Sequence, residues 1–402
     1  MHQPPFEVAD VIRTLAAADG RVPGLRVSQA GQRVIGDLAA CRTAKLGGHV
    51  DACDACGELR VSYNSCGNRH CPKCQAQQRA KWLEKRCQDL LPVPYFHVVF
   101  TLPAELAPLA LQNQREVYGA LFAAAAATLR TIAADPKHLG ADIGFIAVLH
   151  TWGQTLLHHP HIHCVIPGGG LAPDAATWIS CRNDFFLPVR VLSRLFRGKM
   201  LAALQQRFAA DRLQFHGALA ELAEPVRFRA LCNQLRRKQW VVYAKPPFGG
   251  PEQVLKYLAR YTHRVAIANS RITAADADSV SFRYRDYARG HRHRVMRLDA
   301  VEFLRRFLQH VLPARFVRIR HYGFLANRAR KEKLPLCRHL IARASGTDMS
   351  TAPVLEACLE APVDNGERCP ACYHGTMRRI EEFRSQPTWE YLPLRRGPPD
   401  TA

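Results

Sequence analysis

The sequence predicts a fold that mixes helices and strands, in which a small metal-dependent module precedes a larger globular domain. Residues 41–78 contain eight clustered Cys and His side chains and few residues that could form a core. From residue 95 to about residue 324, apolar segments alternate with charged helical stretches. With 402 residues, 48% of them hydrophobic, the chain is long enough for two or three domains.

Changes of composition along the chain predict three parts. Residues 1–90 should contain N-terminal helices and the cysteine-rich module, residues 91–325 the globular domain, and residues 326–402 a basic tail with a Cys-x-x-Cys pair. Helices are expected in residues 6–40, 189–236, 251–261 and 300–311. Strands are expected at 97–103, 143–152, 161–167, 240–243 and 316–320.

The chain is strongly basic, because 56 Lys and Arg residues against 34 Asp and Glu give a formal net charge of +22. Nucleic acid is the commonest polyanion that such a surface meets. The opening residues do not resemble a secretory signal, and the longest apolar run, 117–129, is too short to span a bilayer. We therefore expect a cytoplasmic protein that binds DNA and has no membrane partner.

The cysteine spacing predicts structural zinc. The pairs Cys53/Cys56 and Cys71/Cys74 have the separation of a zinc ribbon, in which two knuckles clamp one tetrahedral Zn²⁺. So small and polar a region could hardly fold without metal. Four more side chains either complete a second zinc site or are ordinary packing thiols and surface histidines: Cys41, His49, Cys66 and His70. The C-terminal pair Cys369/Cys372 offers half a site, for which two distant partners are conceivable: Cys337 and Cys358.

Two further constellations suit chemistry on a phosphodiester. His161 and His163 are two apart on a predicted strand, so both imidazoles lie on one face and could hold one divalent cation. Tyr257 and Tyr261 are four apart on a predicted helix, which places both hydroxyls on one face. Taken singly, either pair could simply pack. The tyrosines, however, have basic neighbours that suit DNA better than a dry core: Lys256, Arg260, His263 and Arg264.

Five motifs in order resemble the insertion-sequence-91 family of two-tyrosine rolling-circle transposases, over about residues 40–330. They are SCGNRHCPKC, HVVFTLP, LHTWGQTLLHHPHIHCVIPGGG, AKPPFGGPEQVLKYLARYTHRVAIANSRI and RIRHYGFLANRAR. The resemblance implies an α+β fold with an HUH endonuclease core, a central antiparallel sheet with helices, after an N-terminal zinc-binding domain. It also implies Mg²⁺ or Mn²⁺ for catalysis, action on single-stranded DNA at element ends and on target DNA, and a place at the bacterial nucleoid.

Carried over by position, His161 and His163 are metal ligands and the two tyrosines are nucleophiles that form a 5′-phosphotyrosine. Related enzymes use a third ligand upstream of the histidine pair. Here the two possible donors are His150 and Gln154, and His150 is preferred because it should lie on the paired strand. Two alternatives share part of this pattern. One is a plasmid replication initiator or relaxase with the same chemistry, and the other is a non-catalytic, zinc-dependent DNA-binding protein.

Overall fold

The computed structural model describes residues 5–17, 19–75, 89–182, 186–245, 265–287, 290–345 and 368–385. Its helices are α1 (Val8–Leu15), α2 (Gln29–Ala40), α3 (Ala107–Gln112), α4 (Gln114–Ala134), α5 (Val189–Ala209), α6 (Pro225–Arg237), α7 (Ala300–Leu308) and α8 (Arg330–Ser345). Its strands are β1 (Gly48–Cys53), β2 (Leu59–Tyr63), β3 (Tyr95–Thr101), β4 (Phe145–Trp152), β5 (His158–Pro167), β6 (Gly169–Leu171), β7 (Trp178–Ser180), β8 (Val242–Lys245), β9 (Ile272–Ala275), β10 (Ser279–Asp286), β11 (Arg292–Asp299), β12 (Ile319–Tyr322) and β13 (Met377–Phe383).

A five-stranded sheet forms the centre of the molecule, in the order β12-β4-β5-β3-β8. Every neighbouring pair in it is antiparallel. Helices therefore accompany antiparallel sheets, and the predicted α+β class is confirmed. The strand pair expected at 143–152 and 161–167 is β4 and β5, joined by a turn at 153–157.

One face of this sheet packs against helices and the other bears histidines. Because successive side chains on a strand point to opposite faces, Phe96, Val98 and Phe100 of β3 enter a core shared with α4 and α5. His97 lies between them in sequence and therefore points to the opposite face. Part of that opposite face is covered by α8, which packs against Ile146. The histidine-bearing part lies beside this covered region.

A second core joins the N-terminal helices to residues far along the chain. It contains apolar residues of α1, α2 and α7, of the small sheet β9-β10-β11, and three cysteines of the predicted zinc module: Cys41, Cys71 and Cys74. Arg69 of the same module donates hydrogen bonds to the carbonyls of Leu312, Pro313 and Phe316. The module is thus tied to the region after α7, and the predicted boundary at residue 90 remains a prediction.

Several elements differ from the sequence expectation. The long helical stretch at 189–236 consists of two helices, α5 and α6, joined by residues 210–224, which include the 3₁₀ helix Gly217–Ala223. The hairpin β10–β11 was not predicted, because β11 begins with three basic residues, Arg292, His293 and Arg294, and lacks the alternation that marks a half-buried strand. Helix α8 was missed because it contains Pro335, and β13 because only its first, fourth and last residues are apolar. The helix expected at 251–261 lies outside the described residues.

Among the described residues, only α4 is long and apolar enough to cross a membrane. Two thirds of its most apolar window (67%) is buried inside the protein, against the central sheet and α5. The apolar run noted in the sequence therefore belongs to a core helix.

Candidate active site and cysteine sites

Strand register brings three histidines together on the face of the central sheet opposite the large core. His150 of β4 is the direct partner of His161 of β5, and His163 follows two residues later on the same face. Their ring centroids are 5.6 Å (His150–His161), 4.5 Å (His150–His163) and 4.8 Å (His161–His163) apart. One nitrogen from each ring lies within 4.8 Å of the others, so the three can contact a single metal ion. We call this cluster the histidine site.

A fourth histidine supports the site from the neighbouring strand. Nε2 of His97, on β3, is 2.8 Å from Nδ1 of His163, and the two rings are stacked nearly parallel. Because Nδ1 of His163 makes this hydrogen bond, Nε2 is the ring nitrogen that would coordinate a metal ion. Burial and the charge of Lys245 lower the pKa of His97 to about 3, so His97 is neutral at physiological pH. His97 was not predicted as part of the site, although it begins the predicted strand at 97–103 and alternates with Val98 and Phe100, which places it on the face opposite the core.

His161 is held in a single tautomer by its own backbone. Nδ1 of His161 donates a 2.7 Å hydrogen bond to the carbonyl of His159. Its Nε2 is therefore unprotonated when the ring is neutral, as a metal ligand must be. Burial lowers the pKa of His161 to about 4, which keeps the ring neutral near pH 7. The geometry and the protonation state both suit metal coordination.

The other predicted third ligand, Gln154, makes contacts away from the histidines. It lies in the turn between β4 and β5, where its Oε1 accepts a hydrogen bond from the backbone N–H of Arg285. Arg271 also donates to the Gln154 carbonyl, at 2.6 Å. The turn is thereby fastened to the β10–β11 hairpin. Of the two candidates, His150 is the one that stands with His161 and His163.

The predicted nucleophiles lie outside the described residues, as do their four basic neighbours. These are Tyr257, Tyr261, Lys256, Arg260, His263 and Arg264. The last described residue before them is Lys245, at the end of β8. Lys245 is paired with His97 across β8 and β3, so its side chain is on the histidine-bearing face. The roles of the two tyrosines and their four basic neighbours remain predictions.

Eight of the twelve cysteines that the structure describes form two groups of four, and the grouping differs from the predicted one. Cys41, Cys66, Cys71 and Cys74 come together, with Sγ–Sγ distances of 3.6 Å between Cys74 and both Cys41 and Cys66. The second group is Cys53, Cys56, Cys369 and Cys372. The prediction that Cys53/Cys56 and Cys71/Cys74 clamp one ion is therefore wrong. The β1–β2 hairpin directs Cys53 and Cys56 away, whereas Cys71 and Cys74 pack beneath Cys41 at the end of α2.

The two histidines proposed for a second zinc site join neither group. His49 lies 3.5 Å from the carboxylate of Asp51. His70 is half-buried, and its burial together with the charges of Arg69 and Arg318 lowers its pKa to about 3. Cys41 and Cys66 do enter a four-cysteine group, so half of the predicted extra ligands are found there. Four sulfurs at these distances suit Zn²⁺, whose sulfur ligands at about 2.3 Å would stand about 3.8 Å apart.

A basic hairpin, β10–β11, stands beside the histidine-bearing strands. Its inner side chains, such as Phe282, enter the second core, so the alternate residues face outward. The outward-facing residues include four cationic or imidazole side chains, Arg283, Arg285, His293 and Arg297, and the exposed Arg292 and Arg294 lie on the other face near the tip of the hairpin. Tyr287 at the tip is 59% exposed and packs edge-on against His291. This surface, which we call the basic hairpin, suits a polyanion with stacking bases.

Comparison with known proteins gives two family matches. Residues 144–333 match a family described as putative transposase, and residues 16–102 match one described as transposase zinc-binding domain. The first match contains the histidine site. The second contains the first four-cysteine group, together with Cys53 and Cys56. No solved structure matches the chain.

Two curated relatives agree with these matches. The chain is 53% identical, over 388 residues, to a protein of Sinorhizobium fredii named putative transposase y4qJ, with 94% of this chain and 95% of that protein covered. It is 29% identical, over 304 residues, to a Pseudomonas savastanoi pv. phaseolicola protein named transposase for insertion sequence element IS801. That alignment covers 74% of this chain and 71% of the relative.

Proposed function

Since this chain belongs to the transposase family of the insertion-sequence-91 and IS801 type, we propose that it cuts and rejoins single-stranded DNA with a tyrosine nucleophile, in rolling-circle transposition. Membership confirms the family resemblance in the sequence and makes DNA the substrate class. The observation that supports the finer proposal is the histidine site on an antiparallel sheet, which is the arrangement expected of an HUH endonuclease core.

The proposed reaction exchanges one phosphate ester for another. The hydroxyl oxygen of Tyr257 or Tyr261 attacks the scissile phosphorus, and the bond from phosphorus to the 3′ oxygen breaks. The tyrosine proton passes to solvent, and the departing 3′ oxygen takes one up to become a free hydroxyl. The 5′ end remains as a phosphotyrosine. Attack by a 3′ hydroxyl on that ester reverses the step, so rejoining needs no ATP.

His150, His161 and His163 would hold the catalytic divalent cation. Bound there, the cation would withdraw charge from the phosphate and orient it for in-line attack. Three imidazoles without a carboxylate are a poor ligand set for Mg²⁺, which prefers oxygen donors. We therefore propose Mn²⁺ as the better of the two expected cofactors. His97 positions His163 through the 2.8 Å hydrogen bond between their rings.

The basic hairpin is proposed to bind the DNA strand next to the histidine site. It is fastened to the β4–β5 turn by Gln154 and Arg271, so its position relative to His150 and His161 is fixed by hydrogen bonds. Exposed arginines would contact phosphates, and Tyr287 would stack on a base. This surface supplements the predicted DNA contacts at Lys256, Arg260, His263 and Arg264.

The two alternatives from the sequence are less well supported. A non-catalytic DNA-binding protein would have no need for His150, His161 and His163 to converge, or for His97 to orient His163. A plasmid replication initiator or relaxase would share the chemistry, but both curated relatives are named transposases. We therefore retain transposition.

The test is the covalent adduct. Full-length protein is incubated with a labelled single-stranded oligonucleotide containing an element end and Mn²⁺, and run on a denaturing gel. Wild type should form a protein–DNA adduct, Tyr257→Phe and Tyr261→Phe should each form it through the remaining tyrosine, and the double variant should form none. His138→Ala, at an exposed histidine in the turn after α4, is the matched control for variants of the histidine site. An adduct of normal yield in the double tyrosine variant would contradict the proposal.

A further inference from the structure

Two Cys-x-x-Cys pairs from opposite ends of the chain meet at one end of the sheet β13-β1-β2. The Sγ atoms of Cys53 and Cys372 are 3.7 Å apart, and those of Cys56 and Cys369 are 3.6 Å apart. These distances are too long for disulfides, whose sulfurs are bonded at about 2.05 Å. They are close to the edge of a tetrahedron of sulfurs around Zn²⁺, about 3.8 Å for metal–sulfur bonds of about 2.3 Å.

The two pairs have the same local backbone. In each, the first sulfur accepts a hydrogen bond from the N–H two residues later, at 3.4 Å from Ala55 to Cys53 and 3.4 Å from Ala371 to Cys369. The residue four after that first cysteine has a positive φ, 76° at Gly57 and 59° at Tyr373. N–H groups aimed at sulfur stabilise thiolates, which are the form that binds metal.

The surrounding backbone is fitted closely around the sulfurs. A Cβ placed on Gly375 would lie 2.3 Å from the Sγ of Cys53, so any larger residue there would collide with the cysteine. Asp54, between the two N-terminal cysteines, accepts a 2.8 Å hydrogen bond from the N–H of Thr376. It also lies 3.2 Å from the guanidinium of Arg378. The two halves therefore interlock through main-chain and side-chain contacts.

Among the described residues, little apolar packing accompanies the backbone pairing at this end of the sheet. In the part of the chain that the structure describes, the local apolar cluster consists of Cys53, Cys369 and Met377, with Cys372 packed beside it. Leu59, Val61 and Ile380 of the same sheet are more than half exposed. Cys56 and Cys369 are 313 residues apart, so closing this loop costs considerable chain entropy. A cluster of three buried side chains offsets little of this entropy cost, whereas the binding of Zn²⁺ by four thiolates can offset it.

We propose that Cys53, Cys56, Cys369 and Cys372 bind a second structural Zn²⁺, which fastens residues 368–385 to the N-terminal module. We call this site the split site and residues 368–385 the C-terminal latch. The matched zinc-binding domain ends at residue 102 and so contains only two of the four ligands. The proposal does not depend on the chemistry proposed for the histidine site.

The test counts zinc per chain in full-length protein purified under reducing conditions. All measurements are made in a His161→Ala/His163→Ala background, so that the histidine site cannot hold a zinc ion and disturb the count. The parent should contain two zinc ions per chain by elemental analysis. Cys56→Ser, Cys372→Ser and the double variant should each contain one, because ligands of one shared site are not additive. Cys181→Ser, which removes a cysteine outside both groups, should retain two.

Three results would overturn the proposal. These are one zinc in the parent, two zincs in Cys372→Ser, or a double variant that loses one ion more than either single variant. Iron in place of zinc, with its visible absorption, would also contradict the assignment. Because a variant could lose zinc by unfolding as a whole, circular dichroism and a thermal melt accompany each count. Each cysteine variant is expected to keep the helical circular dichroism signal of the parent.

Discussion

The histidine site and the split site are built in opposite ways. The three histidines lie between residues 150 and 163, on two adjacent strands whose other face enters the largest core. Strand pairing therefore brings their rings together without a metal. The split site joins residues 313 apart over a cluster of three buried side chains. Where the sheet already positions the ligands, a metal ion can serve chemistry, and where it does not, the ion must supply the structure.

This contrast predicts that the two sites fail differently. Loss of a histidine ligand should remove cleavage and leave the fold, whereas loss of a split-site ligand should loosen the C-terminal latch and leave cleavage.

The largest effect is expected for His161→Ala. His161 is only half-buried, so its loss should leave the melting temperature nearly unchanged. A metal that contributes several kcal/mol to the transition state implies a fall in adduct formation of about 10³-fold. Initial rates on a denaturing gel, with His138→Ala beside it, measure this. A normal rate with Mn²⁺ still required would place the metal elsewhere.

A smaller loss is expected when His97 is changed, because it acts through His163. His97→Phe removes the hydrogen bond and should weaken the apparent affinity for Mn²⁺ by about 10- to 100-fold, as for other residues that orient a metal ligand. The maximal rate should be largely recovered at high Mn²⁺. His97→Gln, which can still accept a hydrogen bond from His163, should lie between Phe and wild type. If Phe lowered the maximal rate at every Mn²⁺ concentration, His97 would have a different role.

The basic hairpin should affect binding rather than the chemical step. Arg285→Ala should weaken binding of single-stranded DNA several-fold and reduce the slope of log K against log salt by about 0.7, the value for one lost phosphate contact. Cleavage at saturating DNA should be close to normal. Arg229→Ala, an exposed arginine on α6, is the charge-matched control. An unchanged salt slope in Arg285→Ala would remove the hairpin from the DNA surface.

The smallest effect on cleavage is expected for Cys372→Ser. Its adduct rate should stay within about threefold of wild type, since the split site lies on a separate sheet from the histidines. Hydrogen exchange should report the change, because amides of β13 lose the metal that holds them against β1. Amides of β3 and β5 should exchange as before. Equal protection of β13 in both proteins would show that packing alone holds the latch.

What the sequence could predict followed from local periodicity. His161 and His163 share a face because strand side chains alternate, and His150 joins them because β4 and β5 are consecutive strands linked by a short turn. Both relationships are contained in about twenty residues. The capping of α7 by Asp299, whose side chain accepts a hydrogen bond from the N–H of Glu302, is likewise a local relationship between residues three apart in the chain.

The parts that could not be predicted depend on distant pairing. Nothing in the spacing of Cys53 and Cys56 indicates that their partners are Cys369 and Cys372. Local spacing therefore favours the nearer pair, Cys71 and Cys74. Placing His97 beside the three histidines required knowing that β3 is the other neighbour of β5. Register between strands far apart in sequence is set by the packing of the whole sheet, which a single sequence does not specify.

The central claim is that His150, His161 and His163 hold the catalytic cation, and electron paramagnetic resonance of bound Mn²⁺ tests it most directly. Wild-type protein should bind Mn²⁺ with nitrogen couplings from more than one imidazole. The triple variant His150→Ala/His161→Ala/His163→Ala should lose those couplings, while His138→Ala should keep them. Mn²⁺ bound without nitrogen couplings in wild type, or with the same couplings in the triple variant, would contradict the assignment.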